Sequence, residues 1–212
     1  MTPFTALTAI AVPLDRVNVD TDQIVPARFL RRPRDAGYQH FLFHDVREKD
    51  PAFTLDRGRY AGARILVAGE NFGCGSSREG AVWALAGTGL RAWIAPSFGD
   101  IFFENSFKNG VLPIVLPAAR VARMREWLAR APGREMTIDL AAQVVQWEGE
   151  TDRFDVDPFR KECLLQGLDE IDLTLRHEAA IADYEGRQAS WLRGACRTPR
   201  SPPSTSSPAS TA

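Results

Sequence analysis

The sequence predicts an α/β fold, with a mixed sheet whose centre is a parallel βαβαβ unit. Two observations lead to this prediction. Three short apolar runs, typical of strands buried on both faces, occupy residues 64–70, 91–97 and 111–117. Two segments with helical spacing separate these runs, and this alternation implies right-handed crossovers and parallel pairing. Antiparallel strands from the two ends of the chain would complete the sheet.

The regular pattern begins at Arg64, and the chain before it is less regular. Residues 4–15 predict a strand that Pro13 breaks, since proline cannot donate a ladder hydrogen bond. Residues 16–45 contain two further prolines and closely spaced polar groups. We therefore expect loops and short helical pieces there, rather than core.

The parallel centre contains two predicted helices. Residues 76–89 have helical spacing and end in two glycines, which commonly terminate helices. Residues 98–110 predict the second helix, which Asn109 and Gly110 stop.

The part of the chain after the third strand predicts a helix, a hairpin and further helices. Residues 118–133 are amphipathic, and their apolar face consists of Val121, Met124, Trp127 and Leu128. Residues 136–150 indicate a β-hairpin, and residues 158–192 indicate helical structure.

The composition is that of a soluble globular protein. The 212 residues are 44% hydrophobic and 25% charged, which suits one domain with a substantial core. A net charge of −1 excludes a strong overall attraction to nucleic acid. Apolar runs stay below the roughly 18 residues of a membrane-spanning helix, and the N-terminal residues do not resemble a signal peptide. We therefore expect a cytoplasmic protein that does not span a membrane.

Two further features bound the domain and its cofactors. Residues 197–212 are almost entirely Pro, Ser, Thr and Ala, so they predict a disordered tail after a single domain of residues 1–196. The cysteines are odd in number and far apart: Cys74, Cys163 and Cys196. This spacing predicts neither a disulfide framework nor a complete zinc or iron–sulfur site within this chain.

The turn NFGCGSSREG at residues 71–80 follows the first parallel strand, where α/β sheets commonly bind ligands. Gly73 and Gly75 allow positive φ and a close approach of the backbone to a ligand. Ser76 or Ser77 falls near the start of the next helix, whose free amides and dipole favour an anion. Arg78 adds a planar set of donors for a carboxylate or phosphate. The turn therefore predicts a site for a small anion.

Three common motifs do not fit this turn. A P-loop requires a lysine that is absent, a dinucleotide turn requires glycine where Arg78 stands, and a nucleophile elbow requires glycine where Glu79 stands. The simplest alternative is a helix cap and a tight turn without a ligand. Two serines with an adjacent arginine exceed what a cap requires.

The Gly-Ser-Ser-Arg-Glu run after a strand resembles the hallmark motif of one domain of the aconitase superfamily, the swivelling β/β/α-type domain. Two other segments, NVDTDQIVPARFL at residues 18–30 and IFFENSFKNGVLPI at residues 101–114, resemble the small subunits of 3-isopropylmalate dehydratases. The resemblance covers roughly residues 1–195, with three separated motifs in the same order.

This resemblance implies a hydro-lyase of leucine biosynthesis that dehydrates and rehydrates a malate-type acid, moving its hydroxyl between neighbouring carbons. It also implies a heterodimer, in which a [4Fe–4S] cluster is bound by a large subunit while this chain binds no cofactor or metal. Ser76 would be the base, while Ser77 and Arg78 would bind a carboxylate of the small dicarboxylic substrate. The backbone of Gly73, Cys74 and Gly75 would form the anion loop. For Cys74 we favour a space-filling role over a reactive thiol, since the family's base is a hydroxyl.

In the family, a mobile loop after the DTDQI segment reads the variable group of the substrate. The resemblance places this role on Phe29 and Leu30, which would contact an isopropyl group, and on Arg31 or Arg32, which would meet a carboxylate. A difference of one methylene in such a contact discriminates weakly, so related malates are hard to exclude.

Several other polar residues are expected to have structural or solvent-exposed positions. We expect Asp20 and Asp22 to cap a helix or order the loop, and we expect Asn109 to serve only the turn before a strand. Lys108 either supports the anion site or does not contact it. The remaining expectations are a solvated Arg28 and Arg34, a surface His177, a structural Glu79, and no metal at His40 and His44.

The sequence departs from the family pattern at Gly80, because the usual continuation is Arg-Glu-His-Ala-Pro. Two alternatives therefore stay open. The first is a related hydro-lyase that acts on a methyl-substituted malate or a homologated tricarboxylate. The second is a non-catalytic module that has retained the anion pocket.

Overall fold

The computed structural model describes residues 1–34, 37–50, 53, 55 and 58–188. The chain divides into two compact units, Met1–Glu170 and Ile171–Ala212. The predicted tail at residues 197–212 and the end of the last predicted helix lie outside the described residues. No helix in the described part of the chain is long and apolar enough to cross a lipid bilayer.

The first unit is built on a seven-stranded mixed sheet with the strand order β4-β3-β2-β1-β5-β6-β7. Its strands are β1 Ala6–Leu14, β2 Ile65–Ala68, β3 Ala92–Ala95, β4 Leu112–Val115, β5 Glu135–Asp139, β6 Val144–Trp147 and β7 Glu150–Arg153. Strands β1 to β4 pair in parallel, whereas β1 pairs with β5, β5 with β6, and β6 with β7 in antiparallel fashion. The predicted α/β fold with a parallel centre is confirmed, and β1 joins its two halves.

The helices follow the predicted alternation. They are α1 Thr21–Ile24, α2 His44–Lys49, α3 Glu79–Gly87, α4 Asp100–Lys108, α5 Ala118–Arg130, α6 Pro158–Gln166, α7 Glu170–Leu175 and α8 Glu178–Arg187. Short 3₁₀ segments lie at Ala27–Phe29, Tyr38–Phe41 and Gly58–Tyr60. The predicted apolar face of α5 is confirmed, since all four of its residues are buried.

Pro13 lies within β1 and does not break it, so this prediction was wrong. The amide of Ala11 donates to the carbonyl of Arg134 at 3.1 Å. Because successive amides of a strand alternate in direction, the amide position of residue 13 faces the same side. The pairing of β1 with β5 ends at Ile10, while Pro13 stays in register with Val67 of β2. Proline therefore forfeits no ladder hydrogen bond at this position.

The sheet separates two cores, and successive residues of β2 alternate between them. Ile65 and Val67 pack in one core together with α5 and the antiparallel strands. Leu66 and Ala68 pack in the other core, against α3. Because both faces are covered, the strand is apolar at every position, which explains its continuous apolar pattern.

The expectation that residues 16–45 lie outside the core was wrong. Six of them are buried in the second core: Val19, Ile24, Val25, Tyr38, Leu42 and Phe43. Short helices and turns supply these side chains one or two at a time, so no helical or strand period marks them in the sequence. Together with α3, this segment covers the sheet face opposite α5.

Strand β7 was not predicted. Its side chains are half-buried or exposed in alternation and none is apolar. Strand β7 is therefore held by its backbone pairing with β6 and by ion pairs of its acidic residues with Arg120 of α5.

Candidate active site

The turn at residues 71–80 has the backbone conformation that its glycines predict. Gly73 and Gly75 have φ of +72° and +89°. At Gly73 a Cβ atom would also lie 2.2 Å from Cγ of Phe102. Glycine is thus required at position 73 both by the left-handed backbone and by the ring packed against it.

A segment far away in the sequence fixes the shape of this turn. The amide of Gly73 donates to the carbonyl of Val19 at 2.7 Å, and the amide of Thr21 donates to the carbonyl of Cys74 at 2.9 Å. The hydroxyl of Thr21 donates to the carbonyl of Ser76 at 2.9 Å. Thr21 is only 2% exposed, so these bonds are shielded from water. The DTDQI segment and the Gly-Ser-Ser-Arg-Glu turn are therefore one structural unit, a relation that the sequence did not predict.

An open cleft lies in front of Ser76. It has a volume of about 330 Å³, and residues of the turn line one side. The start of α4, including Ile101 and Phe102, lines the other side. The two sides follow β2 and β3, neighbouring parallel strands whose carboxyl ends meet at this edge of the sheet. Ser76 and Ser77 are exposed, so the Ser76 side chain is accessible from the cleft.

Free backbone donors accompany this serine. Within the described residues, the amides of Gly75, Ser76 and Ser77 donate to no backbone carbonyl. Helix α3 begins at Glu79 with Arg78 as its N-cap, and no side chain caps it. Both serines therefore precede the helix, and the exposed amides and the positive end of α3 favour an anion here.

Arg78 forms an ion pair with Asp22, the second aspartate of the DTDQI segment. The arginine side chain is 15% exposed and that of Asp22 is 53% exposed. Asp20, in contrast, is the N-cap of α1 and accepts from the amide of Gln23 at 2.7 Å. The structural role expected of these two aspartates is thus confirmed for Asp20, whereas Asp22 contacts the predicted anion-binding arginine directly.

Cys74 lies beside the cleft, but its environment does not activate the thiol. Burial raises the pKa of this cysteine, and the nearby carboxylate of Asp20 raises it further. The thiol is consequently protonated at neutral pH, which agrees with the space-filling role favoured from the sequence.

Asn109 does much more than form the turn before β4, which corrects the sequence prediction. Its amide nitrogen donates to Glu79 at 2.8 Å and to the carbonyl of Asn105 at 2.9 Å. Its amide oxygen accepts from Trp83 at 3.1 Å and from Arg34 at 3.0 Å. Asn109 therefore connects the end of α4 to the first turn of α3. Glu79 has the structural role that was predicted for it.

Arg28 and Arg34 are exposed, as expected from the sequence, and each also has contacts of its own. Arg34 lies over the ring of Trp83, with 4.9 Å between the guanidinium carbon and the ring centroid. Arg28 donates to Asp45 at 2.9 Å through one of its nitrogens. The hydrogen bond from Arg28 lowers the pKa of Asp45 to about 2. Lys108 pairs with Glu170 at 2.8 Å, so its side chain is not committed to the anion site.

The residues predicted to read the substrate, Phe29, Leu30, Arg31 and Arg32, lie within residues 28–34, hereafter called the recognition turn. Phe29 stacks on Phe41 with ring centroids 4.4 Å apart, and the guanidinium carbon of Arg28 lies 4.6 Å from the Phe29 centroid. Leu30 is half-buried, whereas Arg31 and Arg32 are exposed. The aromatic stack anchors the turn, and the two arginines present their side chains to solvent.

The described residues do not fit an iron–sulfur cluster. Within them, the group of potential metal ligands that lie within 4.8 Å of one another consists of His44, Asp45 and Glu48, and it contains no cysteine. Arg28 already contacts Asp45 and His44. His40 lies in the 3₁₀ segment before α2, so the four-residue spacing from His44 does not place the two on one helix.

Known proteins resemble this chain in sequence and in fold. An aconitase C-terminal domain model matches residues 1–119, a LeuD model matches residues 122–158, and a model of the C-terminal domain of the 3-isopropylmalate dehydratase small subunit matches residues 170–193. A 3-isopropylmalate dehydratase small subunit from Methylibium petroleiphilum is 50% identical over 203 residues, covering 89% of this chain and 94% of that protein. The chain belongs to the family of 3-isopropylmalate dehydratase small subunits. A second member, from Magnetococcus marinus, is 49% identical over 209 residues, covering 90% of this chain and 98% of that protein.

The fold agrees with this family. A solved 3-isopropylmalate dehydratase from Methanocaldococcus jannaschii superimposes with a TM-score of 0.64 at 26% identity, covering 84% of this chain and 99% of that chain. The superfamily assignment made from the Gly-Ser-Ser-Arg-Glu run is thereby confirmed.

Sequence reasoning about this small-subunit family found the turn but missed residues that support it. Asp22, Asn109 and Tyr38 contact the site residues or the recognition turn. Only the position of Asp22 within the DTDQI motif signalled a role. The partners of Asn109 and Tyr38 are distant in the sequence or lack a periodic pattern.

Proposed function

We propose that this chain is the small subunit of a 3-isopropylmalate dehydratase, active as a heterodimer with a large subunit. The complex interconverts 2-isopropylmalate and 3-isopropylmalate in leucine biosynthesis by dehydration and rehydration. The observation that supports this proposal most directly is the open cleft in which an exposed Ser76 lies beside free amides and a paired Arg78.

Ser76 is the proposed base that removes a proton from the carbon next to a substrate carboxylate. A neutral hydroxyl is a weak base, so its deprotonated oxygen requires strong stabilisation. The amides of Gly75 and Ser77, the start of α3 and the guanidinium of Arg78 supply positive potential around this oxygen. The same donors also stabilise the negative charge that grows on the substrate carboxylate as the proton leaves.

Ser77 and Arg78 are the proposed ligands of that carboxylate. A guanidinium has five donors, so an arginine whose one edge pairs with Asp22 retains others for a second carboxylate. Asp22 thus orients the guanidinium without consuming all of its donors. The loop of Gly73, Cys74 and Gly75 brings the backbone close to the bound anion.

The recognition turn is the proposed reader of the substrate's alkyl group. Leu30, with the edge of Phe29, provides apolar contact, and the exposed Arg31 or Arg32 meets the second carboxylate. Phe29 also holds the turn in place through its stack with Phe41.

The [4Fe–4S] cluster is proposed to reside on the large subunit, because the described residues here offer no set of thiolates for it. When bound, such a cluster supplies a Lewis acid for the substrate's hydroxyl and carboxylate. Residues 1–196 are proposed to form the swivelling domain, and the protein is proposed to act in the cytoplasm.

The test is co-expression with the cognate large subunit under anaerobic conditions, followed by turnover assays. The Ser76→Ala complex should assemble normally, yet lose roughly 10²–10⁴-fold in kcat, since it lacks the base. Ser77→Ala is the matched control, in which KM rises while much of kcat remains. Near-normal turnover of Ser76→Ala would remove this serine from the role of base.

The same preparation tests the substrate. The wild-type complex should turn over 2- and 3-isopropylmalate more efficiently than methyl-substituted malates or homologated tricarboxylates. A preference for a smaller alkyl group would assign the chain to a different hydro-lyase. The absence of turnover with every acid would indicate a non-catalytic anion-binding module.

A further inference from the structure

One face of α3 is made of small residues that let another segment approach closely. A Cβ atom at Gly80 would lie 2.8 Å from Cε1 of Tyr38 and 3.2 Å from Cδ2 of Leu30. One at Gly87 would lie 2.9 Å from the side-chain oxygen of Gln39. The two glycines are seven positions apart, so they lie on the same face of the helix. The segment Tyr38–Phe41 therefore rests directly on the α3 backbone.

Tyr38 connects this helix face to the recognition turn. Its side chain is buried, with 3% exposure. Its ring meets Trp83 of α3 edge to face, with centroids 5.2 Å apart. Its hydroxyl donates to the backbone carbonyl of Arg32 at 3.0 Å. A movement of this ring is consequently transmitted to the backbone of the recognition turn.

Gly80 controls the place of that ring for steric reasons. It lies inside α3 without a positive φ, so the backbone itself would accept alanine. Alanine also favours a helix more than glycine does. The added Cβ would nevertheless displace both Tyr38 and Leu30, because both lie within contact distance of it.

We propose that Gly80 determines substrate specificity, and that Tyr38 is the positioning residue through which it acts. This inference rests on the proposed function. Gly80 lies two residues after Arg78, and the space at Gly80 sets how closely the recognition turn packs against α3. The position of the turn in turn sets how large an alkyl group of a malate-type acid fits beneath Leu30. Displacement of the turn loosens the contact with the alkyl group and leaves Ser76 and Arg78 in place.

Three variants in complex with the large subunit test this proposal: Gly80→Ala, Tyr38→Phe and the control Gly186→Ala. Gly186 is also a helical glycine, and a Cβ there would meet no atom of the described residues within 4 Å. For each complex, kcat and KM are measured with 2-isopropylmalate and with a methyl-substituted malate. Gly80→Ala should lower the preference for the isopropyl substrate about tenfold through KM, with kcat within about twofold of wild type.

Tyr38→Phe retains the ring and removes only the hydroxyl, so it should shift the preference in the same direction by a smaller factor. Gly186→Ala should leave the preference unchanged. If Gly80→Ala fails to fold, the substrate preference of Tyr38→Phe alone tests the proposal.

A second readout does not depend on catalysis. Limited digestion with trypsin, followed by mass spectrometry, reports how readily the bond after Arg31 is cut. Both Gly80→Ala and Tyr38→Phe should increase this cleavage rate severalfold relative to Gly186→Ala.

Three results would overturn the proposal. The first is an unchanged substrate preference in Gly80→Ala and Tyr38→Phe while wild type is active, which leaves the proposed function intact. The second is a loss of kcat with unchanged preference, which indicates general disruption of the site. The third is a wild-type complex without turnover, which rejects the proposed function together with this inference.

Discussion

Arg78 pairs with the carboxylate of Asp22, and the same guanidinium is proposed to bind a carboxylate of the substrate. Asp22 could therefore have one of two roles toward Arg78, and they predict opposite effects on substrate binding. If Asp22 orients the guanidinium, its removal weakens substrate binding. If it competes for the same donors, its removal strengthens binding. Asp22 lies in α1 and is exposed, while the Arg78 side chain is largely buried. This arrangement favours orientation, since the substrate then meets an arginine that is already fixed.

We therefore predict that Asp22→Asn raises KM about tenfold, because the neutral amide holds the guanidinium less firmly. Steady-state kinetics of the complete complex measures this change. Asp15→Asn is the matched control, since Asp15 is 88% exposed and pairs with Arg125 outside the DTDQI segment. A lower KM in Asp22→Asn would show competition and contradict the orienting role.

Gly73 illustrates how one residue can be required for two separable reasons. We predict that Gly73→Ala lowers the free energy of unfolding by about 2–5 kcal/mol, from left-handed strain and from overpacking against Phe102. Gly62 has a similar φ of +78°, but a Cβ there would meet no atom of the described residues within 4 Å, so Gly62→Ala should show the strain alone. Urea unfolding of both variants separates the two contributions. Equal losses would mean that Phe102 moves aside without cost.

At the scale of elements, an ionic cluster joins α5 to the antiparallel end of the sheet. Arg120 of α5 donates to Asp152 of β7 at 2.7 and 2.8 Å, and Trp147 of β6 donates to the same carboxylate at 2.7 Å. Burial acts to raise the pKa of Asp152, but these hydrogen bonds outweigh it and the pKa is lowered. The ionised carboxylate thus stabilises the folded state. This contribution is complete above the ordinary pKa near 4 and is lost as the pH falls through the lowered value.

Asp152→Asn should accordingly destabilise the protein by about 1.5–3 kcal/mol at pH 7. The difference from wild type should narrow as the pH falls below about 4, because wild type then becomes protonated as well. Urea unfolding at several pH values measures this. Glu126→Gln, in an exposed pair with Arg130, should change stability by less than about 0.5 kcal/mol. A difference between Asp152→Asn and wild type that is independent of pH would exclude the charge as its origin.

The elements also show what a sequence can reveal. Strands β2, β3 and β4 were predictable because burial on both faces makes each of them a continuous apolar run. Strand β7 was not, because its stability comes from pairing and ion pairs and leaves no apolar pattern. Pro13 misled the prediction, since the cost of a proline depends on which neighbour its missing amide would face.

The candidate site divides in the same way. Gly73, Gly75 and the adjacent serines were predictable, because the requirement for positive φ and for exposed donors is local. The contacts of Asp22 with Arg78 and of Asn109 with Glu79 were not. They join side chains that are distant in sequence, and single residue types in loops carry no signal of their partner.

At the scale of the whole first unit, the two faces of the sheet have different covers. The long helix α5 is the main cover of one face, with single side chains of α4 and α6 beside it, and the core on this face also includes the antiparallel strands. The other face is covered by α3 and by the short pieces of residues 16–45, which include the recognition turn's anchors. The proposed specificity determinants, Gly80 and Tyr38, therefore lie on the face of the sheet that is covered by short, separate segments.

The hydrogen bond from Thr21 to Ser76 spans 55 positions of the chain. A peptide containing only the serine turn would lack the bonds that hold its shape, because they come from beyond the preceding strand. The proposed catalytic geometry can arise only after that large loop has closed, a late and slow event compared with helix formation. During refolding from denaturant, the helical circular dichroism signal should therefore recover before enzymatic activity. A partly folded intermediate should show no activity.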